Sequence, residues 1–195
     1  MSQAPPSPLR VALAGNPNCG KTSLFNALTG ARQKVGNYPG VTVERRDGSY
    51  TYAGRSIRVI DLPGTYSLSS WSPEERVAQA ELESGQVDVT VVVADSTNLG
   101  RGLVILAQVM QLGANPVLAL NMADEARDAG QQLDLKLFAA LLGFPVVETV
   151  GSRHGGIDAL RDAIEAAATD PVVGDRLVLG GRIEEVLARI AERLV

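Results

Sequence analysis

From Leu9 onward, short apolar runs alternate with helical stripes. Leu9, Val11, Leu13 and Ala14 have the pattern of a buried strand that stops at Gly15, and Thr22 to Leu28 sets Leu24, Phe25 and Leu28 on the inner side of a helix. Arg46 to Tyr52 and Ser56 to Ile60 read as strands joined at Ala53-Gly54, which predicts a hairpin. The continuous apolar run Val87 to Ala94 predicts a central strand, Leu103 to Leu112 a helix and Pro116 to Leu120 another strand. Leu133 to Leu142, Val146 to Glu148 and Ile157 to Ala168 then repeat helix, strand, helix. This alternation predicts an α/β fold: a mostly parallel six-stranded sheet with one antiparallel hairpin edge and helices on both faces.

The ends break the pattern. Residues 1–8 are rich in Pro and Ser and read as a disordered leader, leaving 9–169 as the folded unit. Asp170 to Gly181 carries Pro171 and three glycines and reads as a linker. Beyond it, Ile183, Val186, Leu187, Ile190 and Leu194 recur at helical spacing, a C-terminal helix whose stripe needs a partner. We expect 170–195 to be a linker and the start of a truncated helical subdomain, with a docked terminal helix or a contact between chains as the alternatives.

Composition narrows the class. Hydrophobic residues are 45% of the 195 but aromatics only 4%, so Val, Leu, Ile and Ala must fill the core. The net charge of −4 (18 basic, 22 acidic residues), with no basic stripe, argues against a nucleic-acid partner. A single cysteine excludes an intramolecular disulfide, and the N-terminus lacks a signal-peptide pattern, so the chain reads as cytosolic. Its longest apolar stretches fall far short of the ~20 residues of a membrane-spanning helix.

The chemistry is concentrated in loops that follow strands. Gly15-Asn16-Pro17-Asn18-Cys19-Gly20-Lys21-Thr22 fits the phosphate-loop pattern between a strand and a helix. Its backbone N–H groups and the helix N-terminus suit phosphates, with Ser23 in the same contact set. Lys21 is expected to reach the β and γ phosphates and Thr22 to ligate Mg²⁺. Cys19 reads as a small loop residue rather than a nucleophile. Asp61-Leu62-Pro63-Gly64 lies about 46 residues after Gly15 at a strand end. Asp61 suits the Mg²⁺ shell and the Gly64 N–H the γ phosphate, with Thr65 to Ser70 as a flexible reporter of that phosphate. Asn121-Met122-Ala123-Asp124 ends the Pro116 strand, where open α/β sheets bind ligands. Asp124 can accept from guanine N1–H and the 2-amino group, a donor pair adenine lacks, and Asn121 can tie this loop to the phosphate loop.

These elements, in this order, resemble the Ras-like GTPase superfamily. Gly15 to Gly30, Gly36-Asn37-Tyr38-Pro39-Gly40-Val41-Thr42-Val43-Glu44-Arg45 and Asp61-Leu62-Pro63-Gly64-Thr65-Tyr66-Ser67-Leu68 narrow the resemblance to the N-terminal G domain of the bacterial ferrous iron transport protein B family, over about Leu9 to Ala168. The resemblance implies a cytosolic regulatory GTPase using GTP/GDP and Mg²⁺, attached to a transmembrane iron-transport domain of the same full-length chain in the inner membrane. A small cytosolic regulatory protein or homo-oligomerisation is implied as a further partner. Thr42 becomes the switch I threonine that closes over Mg²⁺ and the γ phosphate, carried by a mobile Tyr38-Pro39-Gly40. Asn18 matches a potassium-linked asparagine of the family's phosphate loop, which implies K⁺ beside the nucleotide. Lys21, Thr42, Asn18 and Gly64 make up the expected catalytic set.

Three features depart from the Ras-like pattern. Met122 stands where a lysine stem commonly covers the base, and Gly151-Ser152-Arg153 stands where the last guanine loop carries a Ser-Ala type sequence. Thr65 replaces the water-positioning glutamine of many relatives, so hydrolysis is expected to be slow. His154, the only histidine, reads as a helix-entry residue, and Glu74-Glu75 with Glu81 to Glu83 as a solvated helix face. A freestanding GTPase of ribosome or RNA metabolism and a nucleotide-dependent interaction module with negligible turnover stay open as alternatives.

Overall fold

The computed structural model describes residues 7–30 and 33–172. Most of the expected leader and the whole Arg182 to Val195 stripe lie outside them. In chain order the elements are β1 (Leu9–Gly15), α1 (Lys21–Thr29), β2 (Gln33–Asn37), β3 (Glu44–Tyr52), β4 (Arg55–Asp61), α2 (Pro73–Glu83), β5 (Val89–Asp95), α3 (Leu99–Gln111), β6 (Pro116–Asn121), α4 (Ala123–Asp128), α5 (Leu135–Leu142), β7 (Val146–Glu148) and α6 (Ile157–Thr169). Single 3-10 turns fill Ser96–Asn98 and Gly151–Arg153.

The sheet order is β2-β3-β4-β1-β5-β6-β7, with β3 antiparallel to both neighbours and every other pairing parallel. The α/β architecture is the expected one, but seven strands replace the six counted from the sequence. The addition, β2, is exposed at all five positions and pairs through its backbone with β3, Val35 opposite Arg46.

Burial follows from the parallel centre. Val89 to Ala94 are all 0% exposed, because β5 lies between strands on both sides and helices on both faces. On one face Leu24, Phe25 and Leu28 of α1 and Leu160 and Ile164 of α6 pack on Val11, Leu13, Val91 and Val117. On the other, Leu103, Leu106 and Val109 of α3 join Ala78 and Leu82 of α2 and Phe138 of α5 over Ala12, Ile60, Val92 and Leu118.

Helix ends are set locally. Ser72 caps α2 by accepting from the Glu75 N–H at 3.1 Å, with Pro73 in the first turn. Asp134 caps α5, which ends on Gly143 at φ 81°. Helix α3 starts at Leu99, four residues before its expected start, although Gly100 and Gly102 are poor helix formers. Its first turn lies so close to β5 that a Cβ at Gly102 would fall on the Ala94 methyl group. Close packing, not propensity, fixes this helix start.

Candidate functional site

The loops that follow β1, β4, β6 and β7 meet at one edge of the sheet. The β1 loop turns into α1 at Gly20, whose φ of +80° favours glycine and where an added Cβ would fall on the Asn121 amide nitrogen. That clearance lets Asn121 act as a hub. Its Nδ2 donates to the Cys19 carbonyl at 2.9 Å, and its Oδ1 accepts from the Gly151 N–H at 2.9 Å and the Thr149 hydroxyl at 3.2 Å. One buried amide thus fastens the phosphate loop, the Asp124 loop and the Gly151 turn together. Thr149, buried and unmarked by any sequence pattern, was not anticipated.

Asp124 stands in the first turn of α4, which begins after Met122 at φ 59° and is held by the Ala123 N–H to the Thr149 carbonyl. The Asp124 carboxylate is paired with the Arg153 guanidinium at 3.1 Å. Gly151 is buried, Ser152 and Arg153 are exposed, and His154 closes the turn at φ 55° before α6.

On the phosphate side, Lys21 is buried and its ammonium donates to the Asp61 carboxylate. Asn16 donates to the Thr65 carbonyl at 3.2 Å and the Thr65 N–H to the Gly15 carbonyl at 3.3 Å, so the Asp61 loop is laced to the phosphate loop. Gly64 lies against Pro17. Lys21, Thr22, Thr42, Asp61 and Gly64 line one cavity of about 270 Å³. Thr22 and Ser23 are exposed in the first turn of α1, and Asn18 is exposed at φ 67°. Cys19 is buried, which pushes its thiol pKa up and keeps it protonated.

The segment expected to form switch I divides in two. Pro39 to Thr42 are exposed, whereas Tyr38 is 7% exposed, with its N–H on the Val43 carbonyl at 2.9 Å and Arg45 over its ring at 5.1 Å. Burial, with Glu81 next, raises the Tyr38 hydroxyl pKa. Arg45 also reaches Asp47 at 2.7 Å and Glu81 at 3.8 Å. Glu81 is therefore not part of a freely solvated face: it also pairs with Arg10 at 3.3 Å and is 13% exposed.

A sequence profile of the family described as ferrous iron transport protein B matches residues 9–164. The chain belongs to this family. An Fe(2+) transport protein A/Fe(2+) transporter FeoB fusion protein of Porphyromonas gingivalis is 42% identical over 190 residues, 95% of this chain and 22% of that protein. The Fe(2+) transporter FeoB of Escherichia coli K12 is 44% identical over 161 residues, 80% of this chain and 21% of that protein. The chain thus spans about a fifth of the length of these family members. Among solved structures, the cytosolic domain of the T. maritima FeoB iron transporter in its GMPPNP form superposes with a TM-score of 0.81 at 42% identity, over 85% of this chain and 66% of that one. The G domain of the same transporter gives 0.78 at 44% identity, over 82% of this chain and 98% of that one. Among the described residues, no helix is long and apolar enough to cross a membrane.

Proposed function

We propose that this chain binds GTP with Mg²⁺ and hydrolyses it slowly to GDP and phosphate, as the cytosolic regulatory domain of a ferrous iron transporter of the bacterial inner membrane. The observation that carries this reading is the Asn121 hub. It sets Asp124, the acceptor suited to guanine N1–H and 2-NH₂, at a fixed place beside the loop whose Lys21 and backbone N–H groups suit phosphates. The relatives' names, two of which are iron transporters, support the transport setting over a freestanding GTPase. Within the same reading the partners are a transmembrane domain of a longer chain and a small cytosolic regulator or a second copy; nucleic acid is not among them.

The residues fit Mg²⁺. Thr22, Thr42 and Asp61 bring two hydroxyls and a carboxylate to one cavity, a hard-oxygen set. No group of three or more His, Cys, Asp or Glu suited to a metal stands among the described residues. When bound, Mg²⁺ would be held by Thr22, Thr42 and Asp61 and would neutralise phosphate charge. For K⁺, the exposed side-chain carbonyl of Asn18 is the proposed oxygen donor.

Lys21 neutralises phosphate charge, the Gly64 N–H donates to the γ phosphate, and Thr42 closes from switch I. Gly15 to Ser23 contact the phosphates, and Asn121, Met122, Asp124 and the backbone of the Gly151 to Arg153 turn surround the base. Thr65 is 5% exposed and tied to Gly15 and Asn16, so it is badly placed to orient an attacking water, which favours slow turnover.

Competition of GTP and ATP against a fluorescent GTP analogue tests the reading. GTP is expected to win strongly, and Asp124→Asn to move preference toward xanthine nucleotides; equal competition by ATP rejects it. Multiple-turnover phosphate release is expected to be slow, and rapid release with Mg²⁺ alone rejects that part.

A further inference from the structure

The Asp124 carboxylate, needed whole by a guanine base, is held by a cation from its own chain. Arg153 Nη1 lies 3.1 Å from Asp124 Oδ2, with the Asp124 side chain 23% exposed and that of Arg153 77% exposed. The guanidinium therefore meets the carboxylate at one oxygen, from a largely exposed side chain.

The backbone that carries Arg153 is fixed. Val150 and Gly155 exchange N–H and carbonyl at 2.9 and 3.0 Å, and the Arg153 N–H donates to the Val150 carbonyl at 3.0 Å. The Gly151 N–H is anchored on Asn121, and the Ala123 N–H joins the Asp124 loop to Thr149. Two loops held in register this way leave the side chain of Arg153 as the part free to move.

One edge of a guanidinium presents two parallel N–H donors to a carboxylate, and so does guanine through N1–H and its 2-amino group. Arg153 stands on Oδ2 alone, and Oδ2 is one of the two oxygens the base needs. We propose that Arg153 is an internal competitor of the guanine base for Asp124, so that base entry requires the ion pair to open. Arg153 then acts on nucleotide exchange rather than on hydrolysis. The inference rests on the guanine-nucleotide reading of the site.

The size of the effect follows from a two-state count. A solvent-facing ion pair holds its closed form only modestly, and apparent affinity falls by the fraction of molecules whose Asp124 is free. That corresponds to about a two- to six-fold loss of guanine-nucleotide affinity relative to a chain without Arg153.

The sign of the effect separates this role from the others open to Arg153. An arginine that merely attracts polyphosphate, covers the base or stabilises the loop would, on removal, weaken binding, because a positive charge near an anionic ligand favours association. Competition predicts the reverse. Wild type and Arg153→Ala should be compared by stopped-flow with a fluorescent GDP analogue, at fixed Mg²⁺ and ionic strength, with circular dichroism melts to confirm equal folding. The expected result is a two- to six-fold tighter complex in Arg153→Ala, through faster association with little change in dissociation. The wild-type deficit should shrink as salt screens the ion pair. Unchanged or weaker binding in Arg153→Ala, or a gain confined to dissociation, overturns the competitor role while leaving the guanine reading intact. Failure of wild type to bind the analogue at all would overturn that reading, and this inference with it.

Discussion

Asn18 sits exposed on the wall of the phosphate loop at φ 67°, a left-handed conformation that asparagine tolerates better than most residues. Its neighbour Cys19 is buried, so the turn at residue 18 projects one amide outward while the sulfur fills the loop's interior. An exposed amide oxygen on this loop suits K⁺, whose charge beside a bound nucleotide would help stabilise the negative charge of the transition state. Hydrolysis in single turnover is therefore expected to be faster in KCl than in NaCl or a large organic cation at matched ionic strength. Asn18→Ala should lose most of that stimulation, with nucleotide binding less affected. Equal rates in all three salts would end the potassium proposal; full stimulation in the variant would remove Asn18 from it.

At the scale of elements, α3 shows how packing overrides local preference. Two glycines in its first turn argue against a helix there, yet one of them is what allows the helix to approach the sheet. Gly102→Ala places a methyl group on the Ala94 side chain and is expected to cost about 1–3 kcal/mol by overpacking. Gly100→Ala meets nothing within 4 Å and should cost no stability. Urea unfolding of both variants makes the comparison, and equal stabilisation of the two would show that propensity, which favours alanine over glycine in a helix, governs the position rather than close approach.

Across the molecule, a set of charges on β3 ties the hairpin to α2 and so to the base of switch I. Burial would raise the Asp47 carboxyl, but bonds from Arg45 at 2.7 Å and Arg58 at 2.9 Å outweigh it and hold its pKa below the ordinary value. A carboxyl depressed in the folded state stabilises the protein above its unfolded pKa. That contribution is lost as pH falls through the folded value. Because the group is partly solvated, the contribution is expected to be about 1 kcal/mol. Wild type should exceed Asp47→Asn in unfolding free energy at pH 7, with the gap closing as pH drops below the ordinary carboxylate range. A gap that stays constant down to pH 3 would contradict the assignment.

Contiguous residues carry the alternation of strands and helices, the phosphate-loop pattern, and the Asp61 and Asp124 turns at strand ends, and these are legible in the chain alone. A strand buried on both faces must be apolar throughout, so β5 was visible as a run of valines. Strand β2 was not, because it lies at the sheet edge with every side chain exposed and pairs only through its backbone, which leaves no apolar alternation to read. Thr149 was hidden for a similar reason: its value lies in a bond to Asn121, 28 residues earlier. Only the tertiary structure could decide that Tyr38 is buried beneath Arg45, or that Arg153 reaches Asp124. Local pattern reports which face of an element seeks the core. The partner of a particular polar group is chosen when loops distant in sequence are brought to the same edge of the sheet, where an amide, a carboxylate or a guanidinium must find its bond or stay in water.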